Sequence, residues 1–274
     1  MSNPSIQLIC SDIDGTLLDK DRELSKKTSA VFQQLSTKFP IVLISSRMPK
    51  SLRLLQQALG IENHPLIAYN GSLVRTEKET IWSQEIPLDV LAAMVDFVEK
   101  QQNKIHLSLY YNDEWWVPRQ DYWAKREAHN TKVIPAIRPL SATLEDWRKR
   151  KISAHKVMCM GEAIDIERMY AFLIENFAQD VHAYRSKDTY IEVSHKMQDK
   201  ASALELLLQK KYPTIGLANV VAFGDNYNDA TLLEKSGWGV AVANAKKEIL
   251  NLASYQTESN INDGVALFLE KHLL

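Results

Sequence analysis

Two carboxylates near the N-terminus, Asp12 and Asp14, have the spacing and setting of a reactive pair. They follow an apolar run from Ile6 to Cys10, which predicts a buried strand that ends where the carboxylates begin. Residues two apart on extended backbone point to the same side, and Gly15 then permits a sharp turn. Two carboxylates held this close repel unless a cation or a shared proton relieves them. Because an isolated Asp-x-Asp-Gly is more often an ordinary turn, this interpretation depends on partners elsewhere in the chain.

Polar side chains also follow other apolar runs of the chain. Ser45 follows one such run, and Asp225 and Asp229 follow another. The carboxyl ends of parallel strands share one edge of a sheet, so these groups are expected to meet Asp12 there. Gathered carboxylates suit Mg²⁺, which prefers a few carboxylates together with water and a substrate phosphate. A phosphate site also needs a hydroxyl donor and a cation, which Ser45 and Lys200 supply.

The predicted elements that carry these residues alternate as strand and helix. Apolar runs at 40–44 and 65–69 are separated by helical periodicity, which is the rhythm of a doubly wound parallel sheet. From residue 84 the pattern changes, and the run 105–110 alternates apolar and polar residues, as in a sheet with one face in water. After residue 192 the first rhythm returns. We therefore predict an α/β fold with a Rossmann-like core of residues 1–83 and 193–274, interrupted by an α+β cap domain of residues 84–192.

Four residues mark the expected limits of helices in the core. Ser25 and Asp199 are predicted N-caps, because their side chains can accept hydrogen bonds from the first turn. Pro49 suits a first helical position, and Gly60 suits a helix end. These positions place Lys200 in the first turn of a helix.

Composition excludes several classes of protein. Hydrophobic residues at 45% and charged residues at 24% are typical of a soluble globular chain. Lys and Arg number 33 against 34 Asp and Glu, and this nearly neutral net charge does not favour binding to a nucleic acid. We expect no membrane association, because no apolar run is long enough to span a bilayer and the first residues lack a leader pattern. Cys10 and Cys159 have no neighbours at metal-ligand spacing, which favours a reducing, cytoplasmic setting.

These motifs, in this order, resemble those of the haloacid dehalogenase-like (HAD) phosphohydrolases, specifically the Cof-type (class IIB) branch with a large α/β cap. The four catalytic motifs of that family are matched in turn by Asp12-Ile13-Asp14-Gly15-Thr16, Ile44-Ser45-Ser46-Arg47, Lys200, and Gly224-Asp225-Asn226-Tyr227-Asn228-Asp229. Features typical of the branch are Asn70-Gly71, Val242-Ala243-Asn244-Ala245 and Asn262-Asp263-Gly264-Val265-Ala266. The chain departs from the family with Ser45-Ser46 in place of Thr-Gly and Lys200-Ala201 in place of Lys-Gly. The hydroxyl and the ammonium are retained.

The resemblance implies a catalytic role for four residues. Asp12 would attack phosphorus to form an aspartyl-phosphate. Asp14 would protonate the leaving alcohol and later deprotonate the attacking water. Ser45 and Lys200 would bind the phosphoryl oxygens, and Lys200 would also steady Asp12 by its charge.

The resemblance also implies Mg²⁺ as the cofactor. Its ligands would be Asp12, the backbone carbonyl of Asp14, and Asp225. Asn228 and Asp229 would order the surroundings of the ion.

Substrate contacts are expected from both predicted domains. Arg47 is either a salt-bridge partner of the core acids or a substrate contact. Arg185 and Ser186 are the cap candidates, because they lie in a segment that faces the site in Cof-like proteins. The full candidate set for substrate binding is Ser45, Arg47, Asn70, Gly71, Arg185, Ser186, Lys200 and Asn228.

We predict a Mg²⁺-dependent phosphatase acting on small phosphomonoesters such as sugar phosphates or related metabolites, as a monomer or small homo-oligomer. A phosphotransferase of the phosphomannomutase type shares the fold and the intermediate, and release of phosphate from an aryl phosphate would distinguish it. A non-catalytic binding domain on the same scaffold would have lost a nucleophile or a metal acid, and none is lost here. A receiver domain is a further alternative, but such a domain needs less than half the length of this chain.

Overall fold

The computed structural model describes residues 5–102, 104–197 and 199–274, apart from the side chain of Ser186. The chain divides into two compact units, a core unit of residues 1–82 and 199–274 and an insert of residues 83–198. The strands are β1 Leu8–Ser11, β2 Ile41–Ile44, β3 Leu66–Ala68, β4 Leu73–Arg75, β5 Thr80–Ser83, β6 His106–Tyr111, β7 Glu114–Val117, β8 Ala136–Ile137, β9 Lys156–Met160, β10 Val181–Lys187, β11 Tyr190–His195, β12 Val220–Gly224, β13 Trp238–Val242 and β14 Tyr255–Thr257. The helices are α1 Lys26–Ser36, α2 Pro49–Leu59, α3 Leu88–Lys100, α4 Tyr122–Thr131, α5 Leu140–Arg150, α6 Ala163–Phe177, α7 Lys200–Lys211, α8 Ala230–Lys235, α9 Lys247–Leu252 and α10 Gly264–Leu273.

The core unit is built on an eight-stranded sheet of described residues, in the order β14-β13-β12-β1-β2-β3-β4-β5. Its strands from β14 to β3 are parallel, and β4 is antiparallel to β3. The chain winds outward from β1 in both directions, first through β2 and β3 and later through β12 to β14. This topology confirms the predicted doubly wound α/β core.

The central strands are buried on both faces, as their unbroken apolar sequences require. Every residue of β1, β2 and β12 is buried. Helix α1 packs against α2 and α10, while α8 packs against α7 and α9. The ends of β1, β2 and β12 are thereby fixed side by side.

The capping residues begin and end the core helices as predicted. The side chain of Ser25 accepts from Thr28 N at the start of α1, and that of Asp199 accepts from Ser202 N at the start of α7. Pro49 is the first residue of α2, and Gly60 ends it in the left-handed region with φ +68°. The first turn of α7 therefore begins with Lys200.

The insert contains a six-stranded sheet of described residues in the order β10-β11-β9-β6-β7-β8. One face of this sheet carries alternate residues of β6, β9 and β11, such as Leu107, Val157 and Ile191, all fully buried. These residues pack with α3, α5 and α6 into one hydrophobic cluster. The insert thus has its own core.

One sequence prediction about the insert was wrong in detail. The run 105–110 does not face water on one side, because His106 and Ser108 are fully buried. His106 Nδ1 lies 2.8 Å from Oδ2 of Asp121, the N-cap of α4, and its Nε2 lies 3.1 Å from Ser108 Oγ. Hydrogen bonding within the insert therefore replaces the expected water.

The boundaries of the insert were predicted at residues 84 and 192. The compact unit begins at residue 83 and ends at residue 198. A boundary after residue 192 would cut β11, whose pairing with β10 extends to His195. The backbone N–H of Lys196 also donates to Asp180 O at 3.0 Å. Strand pairing therefore extends the insert beyond the sequence-based boundary.

Candidate active site

Three carboxylates meet at the carboxyl ends of β1 and β12. Asp12 follows β1, Asp225 follows β12, and Asp229 lies in the short turn before α8. One oxygen of each carboxylate lies within 4.8 Å of the others, which is close enough for the three to share a metal ion. Asp12 and Asp229 are buried, at 5% and 0% exposure. The predicted convergence of these acids is present.

Lys200 supplies a buried positive charge to this cluster. Its Nζ lies 2.6 Å from Asp12 Oδ1 and 2.6 Å from Asp229 Oδ1. Burial alone would lower the pKa of Lys200, but the charges of Asp12 and Asp229 more than compensate, so its pKa lies above the ordinary value. Burial raises the pKa of Asp12, and Lys200 opposes that rise. Lys200 thus favours the ionised, nucleophilic form of Asp12.

Asp229 is fully engaged by the protein. While its Oδ1 faces Lys200, its Oδ2 accepts from the backbone N–H groups of Asp225 and Asn226 at 3.0 and 3.1 Å. Gly224 allows this approach, because a Cβ there would lie 2.5 Å from Cβ of Asp229. Asp229 therefore fixes the loop that carries Asp225, and its role in ordering the surroundings of a metal ion stays a prediction.

Asp225 has the character of a metal ligand. Burial and the negative charge of Asp229 raise the pKa of Asp225 to about 6, opposed by a hydrogen bond from Thr16. Thr16 Oγ1 donates to Asp225 Oδ1 at 3.1 Å. A carboxylate made unfavourable by its neighbours is stabilised by a divalent cation. The donor set, oxygen without sulfur or imidazole, fits Mg²⁺.

Asp14 is the first residue of the turn after β1, and its carboxylate faces two arginines. Arg47 donates to both of its carboxylate oxygens, from Nε to Oδ2 and from Nη2 to Oδ1, each at 2.7 Å. Arg22 Nη1 lies 3.3 Å from the same Oδ1. Gly15 makes the turn with φ +86°, and a Cβ there would lie 2.4 Å from Asp225 Oδ2. Of the two roles considered for Arg47, the structure thus shows the salt bridge to a core acid.

Ser45 follows the end of β2 and lies next to Arg47. Its Oγ accepts from the backbone N–H of Arg47 at 3.1 Å. Its backbone carbonyl accepts from Asn70 N at 2.9 Å. The side chain is buried, with 1% exposure. Ser45 therefore lies buried next to Arg47, and its role in binding phosphoryl oxygens stays a prediction.

Asn70 and Gly71 lie in the turn between β3 and β4 and contact the start of α7. Asn228 Nδ2 donates to Asn70 Oδ1 at 3.1 Å. Gly71 has φ +111°, and a Cβ there would lie 2.6 Å from the backbone oxygen of Asp199. This close approach seats the start of α7, and hence Lys200, against the core. Their assignment to substrate binding stays a prediction.

The two cap candidates lie on β10 of the insert. The guanidinium of Arg185 pairs with Glu167, and its Nη2 lies 3.4 Å from Asp188 Oδ1. Its side chain is 24% exposed. The side chain of Ser186 lies outside the described residues. Substrate contact by either residue stays a prediction.

Three residues that the sequence did not single out also contact residues of the site. Thr16 contacts Asp225, and Arg22 contacts Asp14, as described above. Asn244 Nδ2 donates to the backbone oxygen of Gly15 at 2.7 Å. Thr16 and Asn244 lie inside quoted motifs, which was the available signal. Nothing local to the sequence distinguishes Arg22 from other exposed arginines.

The fold and the acid cluster define a class, that of α/β hydrolytic enzymes with an aspartate at the end of the first core strand. The sequence matches the family described as haloacid dehalogenase-like hydrolases over residues 9–269. A Haemophilus influenzae protein with the provisional name of phosphatase is 32% identical over 267 residues, covering 96% of this chain and 97% of its own length. The 5-amino-6-(5-phospho-D-ribitylamino)uracil phosphatase YitU of Bacillus subtilis is 26% identical, with 97% of both chains covered.

A solved structure agrees with these sequence matches. The haloacid dehalogenase-like hydrolase from Bacteroides thetaiotaomicron superposes with a TM-score of 0.88 at 25% identity, covering 97% of this chain and 99% of that one. The chain belongs to the haloacid dehalogenase-like hydrolase family, and the Cof-type resemblance is confirmed. In the described part of the chain, no helix combines the length and apolarity that a membrane span requires.

Proposed function

We propose that this hydrolase is a Mg²⁺-dependent phosphatase that acts through an aspartyl-phosphate on small phosphomonoesters, such as sugar phosphates or related metabolites. It is a phosphoric monoester hydrolase. One observation carries the mechanism: buried Asp12 contacts Lys200 and lies beside Asp225, while Asp14, two residues on, is held by Arg47. The arrangement supports one carboxylate as nucleophile and a second as proton carrier.

In the first step, a carboxylate oxygen of Asp12 attacks phosphorus, and the bond from phosphorus to the ester oxygen breaks. Asp14 gives its proton to the departing alcohol oxygen. In the second step, Asp14 takes a proton from water, and the water oxygen attacks phosphorus. The bond to Asp12 then breaks, which releases phosphate and restores both carboxylates. Ser45 and Lys200 hold the phosphoryl oxygens throughout.

The residues that would hold Mg²⁺ are Asp12, Asp225 and the backbone carbonyl of Asp14, with Asn228 and Asp229 ordering their surroundings. When bound, the ion neutralises charge on the phosphoryl oxygens. Three carboxylates with oxygens within 4.8 Å support this assignment, because Lys200 offsets only one of their three negative charges.

The substrate class rests on chemistry and on the named relatives. The site accounts for one phosphoryl group, and YitU is named for a substrate that carries a phosphate on a ribityl chain. A small phosphorylated metabolite is therefore the proposed partner. A cytoplasmic location is proposed with it, and the two buried free cysteines are compatible with a reducing compartment.

The experiment is a screen of the purified protein against a panel of phosphomonoesters, with phosphate release measured in Mg²⁺ and in excess chelator. We expect release with Mg²⁺, loss of release with chelator, and poor replacement by Ca²⁺, which prefers more ligands at longer distances. Phosphate release from an aryl phosphate would also distinguish hydrolysis from transfer to a sugar.

Asp12→Asn tests the nucleophile in the same assay. The two side chains are nearly isosteric, so the fold should persist while phosphate release becomes undetectable. Asp21→Asn removes an exposed carboxylate nearby and should leave activity unchanged. A tenth of wild-type turnover in the first variant, or full turnover in chelator, would contradict the covalent or the metal assignment respectively.

A further inference from the structure

Arg22 is an arginine of the core unit whose position the mechanism leaves unexplained. A compact loop presents it, with four hydrogen bonds centred on Asp19. The backbone of Asp19 bonds to that of Arg22 and of Glu23, each at 3.1 Å, and Asp19 Oδ1 accepts from Asp21 N at 2.8 Å and from Glu23 N at 3.0 Å. Arg22 itself has φ +62°, which side chains other than glycine adopt at a cost. The hydrogen bonds of the loop thus fix Arg22 in an unfavourable backbone conformation.

Arg22 and Arg47 contact the same carboxylate in different ways. Arg47 is 7% exposed and binds both oxygens of Asp14 at 2.7 Å, which fixes the carboxylate in a bidentate pair. The side chain of Arg22 is 45% exposed and approaches one oxygen at 3.3 Å. An exposed single ion pair adds little to a buried bidentate one. Arg47 therefore positions Asp14. This positioning role does not explain why Arg22 lies near the same carboxylate.

The location of Arg22 assigns it to the departing side of the substrate. Asp14 must reach the ester oxygen to protonate it, within one hydrogen bond of about 3 Å. With the 3.3 Å ion pair to Asp14, the guanidinium of Arg22 can lie within roughly 6 Å of that oxygen. Within the described residues its side chain makes this one ion pair, so most of its five N–H groups are available.

We propose that Arg22 is a specificity-determining residue of the core unit, which binds an anionic group on the leaving alcohol within two or three bonds of the ester oxygen. The inference rests on the proposed phosphatase function and narrows its substrate class. A guanidinium matches a carboxylate or a second phosphate by charge and by its planar fork of donors. The leaving side carries the positive charges of Arg22 and Arg47, which favour an anionic group there. Substrate choice is then shared by the core.

The test compares two substrates that differ in one group. 3-Phosphoglycerate carries a carboxylate where glycerol 3-phosphate carries a hydroxymethyl group, and the reach of Arg22 includes that position. The wild-type enzyme should have the higher kcat/KM for 3-phosphoglycerate. Arg22→Gln should lower kcat/KM for 3-phosphoglycerate by about ten- to a hundredfold, the effect of one charged hydrogen bond, and that for glycerol 3-phosphate by less than about threefold.

Two further variants complete the design. Arg22→Lys keeps the charge without the fork and should give an intermediate loss for 3-phosphoglycerate. Lys20→Gln removes an exposed charge of the same loop and should change neither substrate. The ratio of the two kcat/KM values does not depend on the fraction of folded enzyme. An equal loss with both substrates would make Arg22 a positioning residue for Asp14, and no loss would leave it without a role, so either result overturns the proposal. A wild-type enzyme inactive on every phosphomonoester would be a different result, the failure of the phosphatase assignment.

Discussion

At the scale of single residues, Lys200 is the side chain on which the charge balance of the site depends. It is 1% exposed and pairs with two buried carboxylates at once. Removing one partner of a buried ion pair leaves an uncompensated charge, which costs more than the pair itself contributes. We therefore expect the stability of the core unit to depend on Lys200.

Lys200→Met should lower the free energy of unfolding by about 3 kcal/mol in chelator, because Asp12 and Asp229 then repel without compensation. Excess Mg²⁺ should restore part of this loss, since an ion bound by the native state stabilises it. Urea unfolding with and without Mg²⁺ measures both effects. Lys210→Met, at the exposed end of the same helix, is the matched control. Equal stability of Lys200→Met and wild type in chelator would contradict this account.

Also at this scale, Asp14 shows how a neighbour defines a role. The bidentate contact with Arg47 holds both oxygens of the carboxylate at 2.7 Å. A proton carrier must be placed within hydrogen-bond reach of the leaving oxygen before its acidity matters. Arg47 accordingly positions the carboxylate of Asp14, while the proposed role of Arg22 is to bind an anionic group of the substrate.

At the scale of elements, a buried histidine ties the first segment of the insert to β9. His155 is fully buried just before that strand, and its Nε2 lies 2.9 Å from Ser83 Oγ. Its Nδ1 accepts from the backbone N–H of Asn112 at 3.3 Å, and its ring stacks on Tyr111 with centroids 5.1 Å apart. Burial lowers the pKa of His155 to about 3. The insert therefore contains a histidine that must stay neutral.

This histidine should make the insert less stable in acid. Between pH 6.5 and about 3 the unfolded chain binds a proton at His155 that the folded insert does not, so stability is full above 6.5 and falls as pH falls. The loss at pH 5 is about 2 kcal/mol. Burial also lowers the pKa of His106, so this residue too reduces stability as pH falls. Burial raises the pKa of Glu85, which has the opposite effect on stability.

His155→Gln isolates the contribution of this residue. Urea unfolding followed by tryptophan fluorescence at pH 7 and pH 5 should show a smaller loss of stability in the variant than in wild type, by about 2 kcal/mol. His106 and Glu85 are present in both proteins, so their effects cancel in the comparison. An identical pH dependence of the two proteins would mean that His155 is not the titrating group.

At the scale of the whole molecule, chemistry is assigned to the core unit, and the insert is proposed to contribute to substrate choice. Arg185 of the insert is already paired with Glu167 and Asp188. Those pairs offer a structural explanation for the residue that competes with substrate contact. A test must therefore separate the two explanations.

Arg185→Ala should lower kcat/KM for the preferred metabolite by roughly ten- to a hundredfold, while hydrolysis of a small aryl phosphate should change little. Glu167→Gln removes the partner but keeps Arg185, so it should leave both activities near wild type. If the two variants lost activity equally, the ion pair would be the cause. If Arg185→Ala slowed both substrates by the same factor, the residue would belong to the fold or to the phosphoryl site.

The sequence by itself determined the features that depend on local chemistry. The caps Ser25 and Asp199, the helix start at Pro49 and the helix end at Gly60 follow from the conformations that neighbouring residues allow. The apolar runs gave the parallel core, because strands buried on both faces leave no other pattern. The ordered motifs gave the HAD family, which the match over residues 9–269 confirms.

The tertiary structure alone decided which distant residues meet. Lys200 contacts Asp12, which is 188 positions away in the sequence, and Arg47 contacts Asp14, which is 33 positions away. A one-dimensional pattern states that a charge is present but not which opposite charge it finds, because that depends on how the strands and helices pack. The same reason explains the buried face of β6, because the N-cap residue of α4, Asp121, lies against His106 there. Arg22 shows the limit most clearly: only the folded loop brings it to the acid whose substrate it is proposed to select.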